Sequence, residues 1–175
     1  MTFKPLKRKT PFALVLIWCC PALLSCGACG NGQERQNAFP DGYYTAETAD
    51  FDAYGWKEFL SIYINNGRIV SVEYNAKNSS GFIKSWDHDY MRLMNAADGT
   101  YPNEYTRIYA AALLNRQNPK SIDAISGATA SFQVFQLLAE AVLKQARAGA
   151  KEVALVELPP EAMEENPPGE LSGTP

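Results

Sequence analysis

The sequence has few of the side chains that build metal sites and nucleic-acid interfaces. It holds a single histidine, and its 16 Lys and Arg are outnumbered by 19 Asp and Glu, giving a formal net charge of −3. One histidine excludes most His-rich metal sites. Without a basic excess, the chain lacks the electrostatic footprint of a nucleic-acid-binding protein. The sequence therefore predicts no metal site and no nucleic-acid partner.

Cysteine is absent from most of the chain. All four cysteines lie before residue 30, at positions 19, 20, 26 and 29. The chain after residue 30 thus has no thiol for a disulfide or a zinc site.

The length of the whole chain, 175 residues, favours a single domain. With 46% hydrophobic and 20% charged residues, its composition is that of an ordinary globular protein.

The N-terminus has the pattern of an export signal. Four basic residues (Lys4, Lys7, Arg8 and Lys9) precede an apolar run over 12–24. The run fits a signal h-region and is shorter than the roughly 20 apolar residues of a membrane-spanning helix. It ends in Leu23-Leu24-Ser25-Cys26, which resembles a bacterial lipobox. This resemblance implies cleavage after residue 25 and a lipid on Cys26 that anchors an extracytoplasmic chain to the cell membrane.

Two alternatives to this interpretation stay open. The segment could be a plain signal peptide with an incidental cysteine, or Cys29 could be the lipidated residue. If Cys26 is lipidated, Cys19 and Cys20 leave with the signal. Cys29 is then a lone thiol that forms no disulfide within the chain.

Composition divides the rest of the chain into three parts. Residues 26–38 are small and polar and predict a flexible spacer behind the lipid. Residues 39–156 predict one folded domain. Residues 157–175 hold five Glu, five Pro and no Lys or Arg, so we predict a disordered acidic tail.

The folded part has an α+β pattern. Strand-forming residues at 43–48 and alternating apolar residues at 57–64 and 68–74 predict three strands. Asn65-Asn66-Gly67 between the last two runs favours a tight hairpin, because Asn and Gly both accept positive φ. We therefore expect an antiparallel β-meander.

About three helices follow the meander. The first pattern starts near residue 85, the second near Pro102, and the third ends near Gly149. Asn118-Pro119 ends the second. Apolar residues at helical spacing predict core-facing stripes, namely Trp86, Tyr90, Leu93 and Met94; Tyr105, Ile108, Tyr109, Ala112 and Leu113; and Phe132, Phe135, Leu138, Ala139, Val142 and Ala146.

A loop of small and hydroxylated residues lies just before the third helix. It reads Ser121-Ile-Asp-Ala-Ile-Ser-Gly-Ala-Thr-Ala-Ser131. A helix N-terminus carries unpaired N–H groups and a partial positive charge, which favour a phosphate. The same composition also fits an ordinary helix start with Ser or Thr as the N-cap.

The segment Asp123-Ala-Ile-Ser-Gly-Ala-Thr129 resembles the flavinylation motif, Asp-x-x-Ser/Thr-Gly-Ala-Thr, of the FMN-binding domain family. The resemblance extends over roughly residues 40–150. It includes Asp41-Gly42-Tyr-Tyr-Thr-Ala46, Gly55-Trp56-Lys57, Ile64-Asn-Asn-Gly-Arg-Ile69 and Gly81-Phe-Ile-Lys84. Exported lipoproteins of extracellular electron-transfer chains are the best match within that family.

The resemblance implies FMN joined by a phosphoester to Thr129, in an attachment loop at the N-terminus of the last helix. A separate Mg²⁺-dependent flavin transferase would supply the FMN portion of FAD. Asp123 would serve recognition or activation by the transferase, and Ser126, Gly127 and Ala128 would shape the loop. Ser131 completes the candidate cofactor-binding residues. The sequence has Ala130 where related exported domains often have His, which removes a proton donor at that position but not the attachment residue.

The expected function is that of a membrane-anchored flavoprotein electron carrier. It is not an enzyme, because it is itself the substrate of the transferase and the flavin supplies the redox chemistry. The expected partners are the transferase, the membrane lipid on Cys26, and a quinone-linked or NADH-linked membrane electron donor. The alternative is a lipoprotein that binds FMN or another ligand non-covalently for uptake or sensing.

Three further residues have two interpretations each. His88 is either a surface or capping residue or a proton relay near the flavin. Tyr101 and Tyr105, at the start of the second helix, are core residues unless one of them stacks on the flavin ring.

Overall fold

The computed structural model describes residues 39–159. Four predictions fall outside the described residues: the signal peptide at 1–25, the lipid on Cys26, the spacer at 26–38 and most of the acidic tail. Within them, no helix is both long and apolar enough to cross a membrane.

Four strands form one sheet. They are β1 (Gly42–Thr48), β2 (Lys57–Asn65), β3 (Arg68–Lys77) and β4 (Ala154–Val156). The order across the sheet is β3-β2-β1-β4. β1, β2 and β3 form the predicted antiparallel meander. β4 adds to β1 in the parallel direction, so the complete sheet is mixed.

The sheet buries one face, and the alternation in β2 shows why. Leu60, Ile62 and Ile64 are buried, whereas Phe59, Ser61 and Tyr63 on the opposite face are only partly covered. Successive strand side chains point to opposite faces, so the apolar set of β2 forms one continuous stripe. The helices pack on this stripe.

The β2–β3 hairpin turns as the sequence predicts. Asn65 pairs with Arg68 across the turn. Asn66 and Gly67, between them, have φ of 52° and 71°. Two positive φ angles match the twist of the adjoining strands, and Asn and Gly adopt them at low cost.

Three α-helices follow the meander: α1 (His88–Asp98), α2 (Pro102–Arg116) and α3 (Thr129–Ala148). Short 3₁₀ turns at Lys84–Trp86 and Pro119–Ser121 precede α1 and follow α2. α2 packs on β3, and α3 packs on β1 and β2. The predicted α+β class with about three helices is confirmed.

The predicted apolar stripes are not uniformly buried. The α3 stripe lies in the core apart from Phe132, which is partly buried against it. Trp86 precedes α1 and is 62% exposed, and Leu93 and Ile108 are also exposed. The expectation that these three residues form core was wrong, because a helical repeat does not state how wide the covered face is.

The first residues of the predicted disordered tail at 157–175 are described, and among them Leu158 packs against the core.

Candidate functional site

The loop before α3 contains a tight turn from Ile125 to Ala128. The Ala128 amide donates to the Ile125 carbonyl at 3.0 Å. Gly127, at the third position of this turn, has φ of 79°. Positive φ at that position is typical of a type II turn and strongly favours glycine.

Gly127 also lies against the end of α1. A Cβ placed on Gly127 would be 2.2 Å from the carbonyl oxygen of Asp98. The missing side chain therefore admits another backbone segment. The turn thus lies directly against the end of α1.

A buried phenol from α2 connects the two sides of the turn. The Tyr109 hydroxyl accepts from the Ile125 amide at 2.9 Å and donates to the Ala128 carbonyl at 3.3 Å. Tyr109 is fully buried and its ring stacks on Phe135 of α3. The packing of its ring thus fixes the position of the hydroxyl that holds the loop.

The environment of Tyr109 changes its acidity. Burial raises the pKa of the Tyr109 phenol above 10.0, and the hydrogen bond from the Ile125 amide offsets part of that rise. Burial acts in this direction because a phenolate loses more solvation than a neutral phenol. Tyr109 therefore keeps the proton that it donates to Ala128 over the physiological pH range.

Thr129 is the first residue of α3 and is exposed. Its hydroxyl has no hydrogen-bond partner among residues 39–159. Ala128 occupies the N-cap position, and no side chain caps the helix. Of the two sequence interpretations, the ordinary helix start with a Ser or Thr cap is thus not what forms. An uncapped N-terminus next to an exposed hydroxyl fits a phosphate group on Thr129.

The first turn of α3 is also tied to the sheet. Ser131 is buried, and its carbonyl oxygen lies 2.8 Å from the Tyr74 hydroxyl. The same hydroxyl contacts the carboxyl group of Glu58, which is 8% exposed. The Tyr74 hydroxyl of β3 thus links Glu58 of β2 to Ser131 in the first turn of α3. Ser131 has a structural environment rather than an accessible ligand position.

The structure does not bring Asp123 to Thr129. The Asp123 side chain is 96% exposed, and its charged partner is the Arg116 guanidinium at 3.8 Å. Arg116 also donates to the Ser121 carbonyl. This carboxylate is accessible to another protein, and among residues 39–159 no contact links it to the Thr129 hydroxyl.

The other candidates separate into exposed and buried groups. Ser126 is exposed in the turn and Ala128 is buried beneath it. His88 is exposed at the first position of α1. Tyr105 is buried against Tyr109, so it has no accessible face for a flavin ring. No group of three or more His, Cys, Asp or Glu side chains in residues 39–159 could hold a metal ion.

Sequence reasoning missed the role of Tyr109. The helical pattern predicts Tyr109 in a core stripe, which is correct for its ring but does not indicate a role for its hydroxyl. The available signal was a tyrosine at a position where phenylalanine or leucine would fill the core equally well. A buried tyrosine hydroxyl needs a hydrogen-bond partner. The identity of that partner depends on how α2 crosses the loop.

Comparisons with known proteins give lipoprotein and structural relatives. No family model matches the chain. The 15 kDa lipoprotein of Treponema pallidum is 41% identical over 119 residues, which are 68% of this chain and 84% of that protein.

Two solved structures are also similar. A crystal structure of a Clostridium perfringens protein is 41% identical with a TM-score of 0.66, over 69% of this chain and 99% of that one. A solution NMR structure from Clostridium thermocellum is 34% identical with a TM-score of 0.45, over 64% and 94% of the two chains.

Proposed function

The chain belongs to the same family as the 15 kDa lipoprotein of Treponema pallidum, and we propose that it is an extracytoplasmic lipoprotein that carries FMN on Thr129. The lipid is on Cys26, and the flavin passes electrons between a quinone-linked or NADH-linked membrane donor and an acceptor. The chain is not itself an enzyme. A separate flavin transferase modifies it once.

The observation that carries the proposal is the position of Thr129 within its motif. The motif Asp123-Ala-Ile-Ser-Gly-Ala-Thr129 is continuous, and its last hydroxyl is exposed at an uncapped helix start. Two hydrogen bonds from the Tyr109 hydroxyl hold the preceding turn, and the backbone of Asp98 packs closely against it. These features suit a hydroxyl that an external enzyme must reach and that must then hold a phosphodiester in a fixed place.

The attachment reaction balances with FAD as the donor. A bond forms between the Thr129 hydroxyl oxygen and the phosphorus of the FMN portion, while the bond from that phosphorus to the bridging oxygen of the FAD pyrophosphate breaks and the bridging oxygen stays with AMP. AMP leaves with the electron pair of that bond, and the hydroxyl proton passes to a base of the transferase. The exposed Asp123 carboxylate is available to the transferase as a recognition group.

Covalent attachment and the lipid anchor suit the same compartment. Outside the cell membrane no flavin pool refills a site that loses its cofactor, and a phosphoester prevents dissociation. The flavin supplies the redox chemistry, and the protein sets its position and surroundings. The anchor confines the domain near the membrane and so raises its effective concentration for membrane-bound partners.

Intact-mass measurement after co-expression with the transferase tests the flavin. The wild-type chain should gain the mass of one FMN less one water. Thr129→Val should gain none, because valine has the shape of threonine but no hydroxyl. Ser126→Ala is the matched control: it removes the neighbouring exposed hydroxyl and should keep the adduct.

Two results would overturn the assignment. A wild-type chain without an adduct, under conditions in which a known acceptor is modified, would contradict covalent attachment. Flavin that copurifies with the chain but leaves it on denaturation would instead favour the alternative of a lipoprotein that binds its ligand non-covalently.

A further inference from the structure

Five basic side chains surround the position where the described chain begins. Phe39 forms a bridge with Gly67 of the hairpin, and the guanidinium of Arg147 lies 5.4 Å from the Phe39 ring centroid. A surface pocket with a volume of about 750 Å³ is lined by Phe39, Lys120 and Lys144. We define the basic end by its cationic residues: Arg68, Lys120, Lys144, Arg147 and Lys151.

The basic end retains a net positive charge after its carboxylates are counted. Glu140 lies 3.7 Å from Lys120, and Asp41 is the residue to whose carbonyl Lys151 donates. Glu152 follows Lys151 in sequence. Five cations against three carboxylates leave this end positive in a chain whose formal net charge is −3.

The acidic residues at the C-terminus begin at the other end of the sheet. β4 runs parallel to β1, and its last residue, Val156, pairs with Thr48 at the end of β1. β1 spans seven residues, or roughly 20 Å at about 3.3 Å per residue. The described chain therefore begins at the basic end and reaches Glu157 at the opposite end.

We propose that the basic end docks on the anionic phospholipid headgroups of the membrane that holds the lipid anchor. The inference rests on the lipid at Cys26 proposed above and is independent of the flavin. Cys26 precedes Phe39 by thirteen residues, so even a fully extended connection reaches no farther than about 45 Å. The end of the domain that the connection joins is thus the end that carries the excess of cations.

The charge is sufficient to orient a tethered domain and to give a free one a measurable preference for an anionic surface. Each Lys or Arg close to an anionic surface increases binding roughly fivefold, so a net charge of +2 gives roughly a 25-fold preference. The attraction falls off within about 10 Å, which limits it to the face in contact with the headgroups. The anchor supplies proximity, and the basic end supplies orientation.

Docking of this kind turns the attachment site away from the membrane. Thr129 and Arg147 lie eighteen residues apart on α3, and at about 1.5 Å per residue they are separated by about 27 Å along the helix axis. Gly149, just after α3, is close to Pro40 at the basic end. Ser131 instead contacts Tyr74 near the other end of the sheet. With the basic end on the membrane, the Thr129 end of the domain would point away from the bilayer, where a redox partner could reach it.

Vesicle binding tests the surface without the anchor. The probe is the chain from residue 26 to 175 with Cys26→Ser, sedimented with vesicles of phosphatidylglycerol or of phosphatidylcholine at about 0.1 M salt, where the screening length is about 10 Å. We expect roughly 25-fold stronger partitioning onto the anionic vesicles. The double variant Lys144→Gln with Arg147→Gln should lose a similar factor.

The matched control removes the same charge elsewhere. Arg92→Gln with Arg107→Gln changes exposed cations on α1 and α2 and should keep the preference for anionic vesicles. Equal partitioning of the parent chain onto both vesicles, or equal losses in the two double variants, would overturn the proposal. Displacement by millimolar glycerol phosphate would also overturn it, since that result indicates a site for a soluble phosphate.

A second measurement follows orientation in the lipidated protein. A fluorophore on Ser79→Cys, in a Cys29→Ser background, reports the distance of the opposite end from a dye in the bilayer. Energy transfer should be lower on anionic than on phosphatidylcholine vesicles, and the Lys144→Gln with Arg147→Gln variant should abolish that difference. Higher transfer on anionic vesicles would contradict docking through the basic end. Neither result bears on the flavin, which the mass measurement decides separately.

Discussion

Two residues decide the shape of the attachment loop, and neither is the residue proposed to carry the flavin. Gly127 allows the carbonyl of Asp98 to approach the turn, and Tyr109 bonds to both sides of it. Thr129 depends on both, because it follows the turn directly. The position of Thr129 thus depends on packing from α1 and α2.

Replacing Gly127 should destabilise the fold for two separable reasons. Gly127→Ala forces a Cβ into positive φ and toward the Asp98 carbonyl oxygen. Gly81→Ala is the matched control, because Gly81 has φ of 85° and open space around it. Urea denaturation should show Gly127→Ala to be less stable than the control by about 1–3 kcal/mol. Equal losses would mean that the close approach adds no strain.

Removing the Tyr109 hydroxyl should loosen the loop while keeping the core filled. Tyr109→Phe leaves the Ile125 amide and the Ala128 carbonyl without this partner, which costs about 1–3 kcal/mol of unfolding free energy. Amide exchange at Ile125 should become faster. In the control Tyr44→Phe, which removes a hydrogen bond to Pro40 far from the loop, Ile125 exchange should be unchanged. Unchanged Ile125 exchange in Tyr109→Phe would contradict the role assigned to Tyr109.

Stability should fall in alkaline solution in a way that depends on Tyr109. Its pKa is raised in the folded state above 10.0. The unfolded chain therefore loses this proton first, and the stabilising contribution is complete below pH 10 and is lost as pH rises through the folded-state pKa. Tyr109→Phe should show a shallower decline of unfolding free energy above pH 10 than the wild type. Identical slopes would show that Tyr109 does not contribute to the decline.

At the scale of elements, the sheet closes with a strand that lies far from its partner in the sequence. β4 pairs with β1 across more than a hundred residues, and Ala49 donates to the Val156 carbonyl at 2.8 Å. β4 covers one edge of β1, which would otherwise present unpaired backbone groups. Three residues are too few to show an alternating pattern, so sequence periodicity did not identify this strand.

Two neighbouring residues of β4 should respond very differently to the same substitution. Val156 packs against the core, whereas Leu155 on the other face is 65% exposed. Val156→Asp should lower the unfolding free energy by about 2 kcal/mol or more, since a carboxylate would enter an apolar environment. Leu155→Asp should change it by less than about 0.5 kcal/mol. Similar losses in thermal denaturation would show that β4 does not dock as described.

At the scale of the whole molecule, the start of the described chain and the proposed flavin residue lie at opposite ends of the folded domain. The chain begins its described part at Phe39, beside the C-terminal half of α3, and Thr129 begins that helix. The length of α3 therefore separates the basic end, where we propose membrane docking, from the proposed flavin residue.

Membrane association should depend on one cysteine. Cys26→Ser should move the protein from the membrane fraction to the soluble extracytoplasmic fraction or leave it as an uncleaved precursor. Cys29→Ser is the matched control and should stay in the membrane fraction. The opposite pattern, with only Cys29→Ser released, would place the lipid on Cys29. Fractionation and immunoblotting distinguish these outcomes.

The sequence alone determined the features that depend on local chemistry. The Asn66-Gly67 turn, the alternation of β2 and the start of α2 at Pro102 follow from backbone preference and periodicity, and the structure confirms each. The continuous motif ending at Thr129 was also readable, because its residues are consecutive. The tertiary structure decided what depends on distant segments meeting. Examples are the Tyr109 contacts with the loop, the approach of Asp98 to Gly127, the parallel pairing of β4 and the cations gathered around Phe39. Each joins positions far apart in the chain, and local residue preferences contain no information about which distant surfaces pack together.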